Sequence, residues 1–361
     1  MKNKPFIIYS TIVAILFFVG TMGLVMILLT PNTDTIADTE VLPSKSVLEL
    51  IKKKGFIQCG VNTGAAAFSS LNDKGEWTGF DVDFCRAVAA ATLGDANKVK
   101  YTPLTAKERF TALQSGEVDL LSRNTTWTLT RDTTMGLNFT GVSYYDGQGF
   151  MVNKDLGITS VLQLDGATVC TDTGTTTELN LADYFREHKM KYTPVVFETP
   201  DQTIRGFESG RCDVLTSDQS QLHALRFKLA KPDNVIVLPE IISKEPLGPV
   251  VRQGDDEWFN VIKWVLFALI NAEEMGVTSK NVDALKKSST APGIKRLLGV
   301  ENDMGKGLGL SNDWAYNIIK RVGNYAEIFE RNVGMESPFK MERGLNALWN
   351  QGGIQYAPPI R

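Results

Sequence analysis

Four short stretches concentrate hydrogen-bonding side chains: VNTGAAAFSS (61–70), SRNTTWTLTRD (122–132), TDTGTTTE (171–178) and TSDQSQ (216–221). Hydroxyls and amides orient a polar ligand, and an arginine's planar fork holds an anionic group while keeping its charge. Arg123 and Arg131 flank Trp127 in the second stretch, and Asp172, Glu178 and Asp218 add carboxylates in the third and fourth. Ser and Thr are also ordinary turn and cap residues, so a single stretch carries little. Recurrence at successive sites carries more. Catalytic and metal-binding signatures do not accompany them. There is no G-x-S-x-G, H-E-x-x-H, P-loop or C-x-x-C, and His188 and His223 sit apart in helix-like sequence. The glycines of GKGLGLSND (305–313) follow no strand, which disfavours a dinucleotide site. No metal and no cofactor is expected.

Such residues need elements to present them. SVLELIKKKG (46–55) has the spacing of an amphipathic helix closed by Gly55, FIQCGV that of a strand, and LNDKGEWTGF a hairpin turning on Asn72, Asp73 and Gly75. DVDFCRAVAAATLG reads as a helix ending at Gly94, KVKYTPL as a strand, TAKERFTALQSG as a helix from Thr105 to Gly116, and VDLLS as a strand. The same grammar restarts at residue 160, with SVLQLDG as a short helix, ATVC, TPVVFET and CDVLTSD as strands, and helices between them. Strand alternating with helix predicts parallel sheets with helical cover. Ligands of such sheets gather at the carboxyl ends of strands, where helices begin and free N–H groups favour anions. All four polar stretches fall at those junctions.

Two extended crossings, NFTGVSYYDGQGFMV and IISKEPLGPVVRQ, bracket the second unit and imply an inserted lobe on a two-stranded hinge. The expected division is lobe one at 47–142 and 250–361, including a helical C-terminal extension, with lobe two at 143–249. DEWFNVIKWVLFALINAEEMG is apolar enough to suggest a membrane span, but Lys263 and the polar end Asn271, Glu273, Glu274 favour core burial. Residues 5–29 carry no charge and follow Lys2 and Lys4, which marks 1–37 as a signal peptide or anchor and 38–46 as a linker. The expectation is export from the cytoplasm, with cleavage after Ala37 competing against an uncleaved membrane anchor at 5–29. A net charge of −3 without a basic stripe argues against nucleic acid. The four cysteines, Cys59, Cys85, Cys170 and Cys212, lie in the exported part, where disulfides form. Three pairings are open, as are four buried thiols. Because 59 and 85 flank one strand-to-helix unit and 170 and 212 another, pairing within each unit is favoured.

The ordered runs FIQCGVNTG, DKGEWTGFDVDFCRAVA, RFTALQSGEVDLLSRNTTWTLTRD, NFTGVSYYDGQGFMV, GTTTE, GRCDVLTSD and EWFNVIKWVLFALINAEEMG resemble a polar amino-acid-binding protein of an ABC importer. They cover about 47–275, and the tail GLGLSNDWAYNIIK, VGNYAEIFERNVG and LNALWNQGGIQYAPPIR is similar to the general L-amino-acid binders within that family. The resemblance implies an α/β, two-lobed periplasmic-binding-protein-like fold of type II that closes over one L-amino acid and delivers it to membrane permease subunits. A monomer without enzymatic activity is expected. It also assigns roles: Arg131, five residues after Thr126 and seven after Asn124, grips the ligand carboxylate. Thr175 and Thr176 meet the same carboxylate from lobe two, Asp218 takes the ammonium, and Asn62 is the first-lobe polar contact. Arg123 and Trp127 are read as structural. Where a ring would stack on the ligand side chain the chain has Ala65, which with the neutral Asn62 implies broad side-chain tolerance. A lyase on the same fold, using Glu178 or Asp172 as acid/base, and a membrane-tethered sensor are the alternatives.

Overall fold

The computed structural model describes residues 46–361. The leader or anchor read at 1–37, including 5–29, and nearly all of the linker read at 38–46 lie outside the described residues. The strands are β1 (Ile57–Asn62), the hairpin β2 (Ser70–Leu71) and β3 (Trp77–Thr78), β4 (Val99–Leu104), β5 (Leu120–Leu121), β6 (Leu137–Phe139), β7 (Tyr144–Asp146), β8 (Gln148–Asn153), β9 (Thr168–Asp172), β10 (Thr193–Phe197), β11 (Val214–Asp218), β12 (Val235–Val237), β13 (Glu245–Leu247) and β14 (Val250–Arg252). One sheet has the order β4-β1-β5-β14-β6 and the other β10-β9-β11-β8-β12. In each, three neighbouring strands run parallel, as the alternation of strand and helix predicts. These are the two lobes.

Leaving the first sheet after β6, the chain passes through β7, builds the second sheet and returns through β13 into β14. β7 and β13 pair antiparallel, Asp146 with Glu245 and Tyr144 with Leu247, and form the two-stranded hinge. Nearby the two crossings come so close that a Cβ on Gly248 would lie 2.0 Å from the Gly141 carbonyl oxygen. Only glycine fits there. Cys59 pairs with Cys85 and Cys170 with Cys212, at Cα separations of 6.3 and 5.7 Å, so each bridge closes within one lobe.

The first lobe's core is extended by the C-terminal region. The helix Phe80–Leu93 buries small residues, Ala87, Ala89 and Ala90, which lets neighbouring helices approach closely. Against it and the helix Asp256–Glu274 pack the helices Trp314–Arg321 and Tyr325–Asn332, burying Trp314, Ile318, Ile319, Tyr325 and Phe329. Each such side chain contributes roughly 1.5–3 kcal/mol on full burial. Asp256–Glu274 is itself a core helix, and among the described residues no helix is long and apolar enough to cross a membrane.

Three local expectations change. VDLLS narrows to the two-residue β5, and SVLQLDG forms only a 3-10 turn, Val161–Gln163. The helix expected from Thr105 becomes regular at Arg109. Thr105 and Glu108 nevertheless exchange hydrogen bonds, Glu108 N–H to Thr105 Oγ1 at 3.3 Å and Thr105 N–H to the Glu108 carboxylate at 3.0 Å. That reciprocal pair satisfies the free N–H groups of an irregular first turn.

Candidate functional site

The carboxyl ends of the two sheets face each other. β1 delivers Asn62, the loop after β5 delivers Arg123, Asn124 and Thr126, β9 and the following turn deliver Thr171, Asp172, Thr175, Thr176 and Thr177, and β11 delivers Thr216, Ser217 and Asp218. Together with Arg109, Pro200 and Gln221 they line one cavity, whose open space is only about 30 Å³. That is room for about two water molecules, so the lobes stand closed. Thr126 Oγ1 of the first lobe lies 3.2 Å from Thr176 Oγ1 of the second, and Lys228 Nζ donates to the Gly64 carbonyl at 3.1 Å.

The first-lobe wall is held by a buried carboxylate. Asp81 accepts from Asn124 N–H at 2.7 Å and Ser122 Oγ at 3.2 Å, which fixes the turn in which Asn124 adopts φ +36°. Burial pushes the Asp81 carboxyl up to about 6. Asn124 Oδ1 accepts from Asn62 Nδ2 at 3.0 Å, joining two strand ends. Arg131 donates from Nη1 to the Thr126 carbonyl at 2.8 Å and does not itself line the cavity. Burial lowers its pKa to about 10, against Glu245 and Asp218, so it stays charged at neutral pH.

Asp218 is the charge of the second-lobe wall. Its carboxyl is raised well above the usual range, first by burial and then by Asp146 and Glu245, with Arg109 and Arg131 opposing. Although it stands at the N-cap of the helix Gln219–Arg226, its side chain makes no capping bond. Thr175 differs: its hydroxyl caps its own helix, accepting from Glu178 N–H at 3.2 Å and donating to the Asp172 carbonyl at 2.7 Å. Thr176 donates to Glu245 at 2.9 Å, and Glu245 also accepts from Asn180 and Ser243, both at 2.7 Å.

Several buried polar atoms lining the cavity have no protein partner among the described residues: Arg109 Nε, Thr171 Oγ1, and both amide atoms of Gln221. Buried polar groups are ordinarily satisfied, so such a cluster marks the place of a polar ligand. Of the residues singled out in the sequence, Asn62, Asn124, Thr126, Thr175, Thr176 and Asp218 meet at this cavity. Arg123, read as structural, lines it too. Trp127 does not, stacking instead on Phe139 at 5.5 Å. Glu178 also lies off the cavity, accepting from Gly174 N–H at 2.9 Å. Arg109 and Gln221 were missed. Gln221 lies one turn from Asp218 in TSDQSQ, a spacing that marks it; Arg109 sits in a helix whose sequence gives no sign of facing the cleft.

Comparison with known proteins gives consistent findings. The model of the bacterial extracellular solute-binding proteins, family 3, matches residues 57–281. The chain is 63% identical over 316 residues to the putative amino-acid ABC transporter-binding protein YhdW of Escherichia coli K12, covering 88% of this chain and 93% of that one. It is 62% identical to the general L-amino acid-binding periplasmic protein AapJ of Rhizobium johnstonii, covering 88% and 94%. Among solved structures, an ABC transporter periplasmic binding protein from Brucella ovis with glutathione bound superposes with a TM-score of 0.86 at 61% identity, covering 88% of this chain and all of that one.

Proposed function

We infer, from the premise that the chain belongs to the bacterial extracellular solute-binding proteins of family 3, that it is the binding component of an ABC importer for L-amino acids. The observation that carries this is Asp218: a buried carboxylate on the cavity wall with no hydrogen bond from its own helix, facing arginines of the opposite lobe. A zwitterion answers both needs. Its ammonium pairs with Asp218. Its carboxylate is held by Thr126 and Thr176 and by the free first-turn N–H groups of the helix Thr176–Glu187, which Thr175 caps, with the Arg131 charge standing behind the Thr126 carbonyl. Asn62 and Asn124 close the first-lobe side. The relatives named above bind amino acids or glutathione, whose γ-glutamyl end carries the same α-carboxylate and α-ammonium frame.

Function follows from closure. A cavity this small admits an amino acid only when the lobes part, so ligand enters an open form and its bridging contacts favour the closed one. The closed form is what a membrane permease receives. Lobe one comprises 47–142 and 250–361 and lobe two 143–249, and the protein acts as a periplasmic monomer after cleavage at Ala37. The site transports and does not transform: Asp172 and Asp218 bind, and no acid/base pair is assigned. Ala65 is fully buried in the first-lobe core rather than at the cavity, and the breadth rests instead on the lining, which among the described residues holds no aromatic ring to clamp the ligand side chain. Isothermal titration with the common L-amino acids tests this, with several binding at micromolar Kd and each recovered unchanged by chromatography. Heat from a single amino acid would remove the breadth, and heat from none would remove the function.

A further inference from the structure

The sheet orders give the cleft two ends. β5 neighbours β14, which continues from hinge strand β13, and β11 neighbours β8, which continues from hinge strand β7. β4 and β10 lie on the far sides, beyond β1 and β9. Thr126 and Asp218 therefore stand at the hinge end. Arg123 follows β5, but its Nε donates to the Leu104 carbonyl at the end of β4 at 2.9 Å, so its side chain crosses the end of β1 to the outer end. Asp172 ends β9 on the opposite lobe and accepts from Thr203 through Oδ1 alone.

Arg123 and Asp172 both line the cavity and each is the other's attractive partner, yet no ion pair joins them among the described residues. The terminal nitrogens of Arg123 and Oδ2 of Asp172 have no hydrogen-bond partner among the described residues, and the buried Thr171 hydroxyl beside Asp172 has none either. A donor and an acceptor left facing a cavity from opposite lobes call for one group that offers both. We propose that Arg123 and Asp172 form a side-chain subsite for a primary carboxamide, whose carbonyl accepts from Arg123 and whose NH₂ donates to Asp172. This rests on the amino-acid function above, with the α-carbon frame at the hinge end. A carboxylate would satisfy Arg123 but oppose Asp172, an ammonium group the reverse, and an apolar side chain would cover the buried Arg123 and the half-buried Asp172 while leaving both unpaired. The protein accepts many amino acids and ranks amide side chains first.

The test is titration of the exported protein with L-alanine, L-glutamine, near-isosteric L-methionine, and γ-N,N-dimethyl-L-glutamine, which keeps the carbonyl and lacks the donor. Glutamine is expected to bind at least about tenfold tighter than methionine, since each contact is a hydrogen bond to a charged group. The dimethyl amide loses most of that advantage. In Asp172→Leu and Arg123→Leu the glutamine-to-methionine ratio, measured within each protein, falls to about threefold or less. If alanine binds but glutamine and methionine are alike, or if the ratio survives in both variants, the subsite is wrong while the amino-acid function stands. If alanine and the rest do not bind, the function itself fails and the subsite with it. Should a variant not fold, the dimethyl amide on the wild-type protein decides: binding equal to that of glutamine overturns the proposal.

Discussion

Asp218 stands at a helix N-cap without making a cap bond, so its burial is a cost with no local compensation. That predicts opposite signs for one substitution. Asp218→Asn raises the melting temperature of the ligand-free protein, because it removes a desolvated charge next to Asp146 and Glu245. The same change weakens amino-acid binding by about 10- to 100-fold, the range of a charge-assisted hydrogen bond. Calorimetry and titration on the same variant check both, and a fall in both would show a structural role instead. The pH dependence has a definite direction. Ligand ammonium and proton compete for a carboxyl whose pKa is raised by burial, Asp146 and Glu245 against Arg109 and Arg131. Affinity therefore falls as pH drops, beginning above the ordinary carboxylate range. Arg131→Lys keeps the charge but loses the planar guanidinium that holds the Thr126 carbonyl, and with it the placement of Thr126 at the cavity. We expect about tenfold weaker binding, and a lysine variant that titrates like wild type would remove Arg131 from the site.

At the scale of elements, most boundaries were legible because each carries its own chemical mark. Gly55, Gly94 and Gly116 end helices in the left-handed conformation, with φ of +76°, +68° and +82°, which glycine adopts without strain. β5 was legible only as an apolar run, since its ladder depends on β1 and β14, both distant in sequence. For the candidate site the same division holds. Asp218 ends β11 and Thr126 lies in the short loop that leaves β5, so their place at the cavity could be read from strand ends. Arg109 reaches the cleft from a helix whose tilt the fold decides, and Arg123 is turned outward by the Leu104 carbonyl. Neither contact is local. The disulfides were legible as pairs within units, and they make a prediction of their own. The bridges span 26 and 42 residues, so loop closure gives each about 3–4 kcal/mol. Cys170→Ala with Cys212→Ala should lower urea stability by about that amount while leaving the first lobe's near-ultraviolet signal folded to higher denaturant.

For the whole molecule, the question is where the lobes bend, and the C-terminal extension answers it. Tyr325 Oη donates to the Ser143 carbonyl at 2.7 Å, and Gln355 donates to the same carbonyl at 3.3 Å. Asn346 accepts from Tyr145 N–H at 2.7 Å and donates to its carbonyl at 3.0 Å, so its amide occupies the outer edge of β7 as a third strand would. Tyr325 belongs to the first-lobe core, and Asn346 is itself buried. The extension thus fixes β7 to lobe one up to Tyr145, and rotation is left to the residues beyond, around Asp146 and Gly147. Asn346→Ala releases that edge. It leaves a backbone donor and acceptor of Tyr145 unpaired, at about 1–3 kcal/mol, and lets the hinge bend earlier along the strand. More open arrangements then compete with the closed one, so apparent affinity falls in proportion to the closed fraction lost. The cleft residues are untouched, and the ranking of amino acids should not change. Hydrogen exchange localises the effect: amides of 143–147 should exchange faster in the variant, with the second sheet unaltered. Unchanged exchange there would place the bending elsewhere and leave the extension as packing alone.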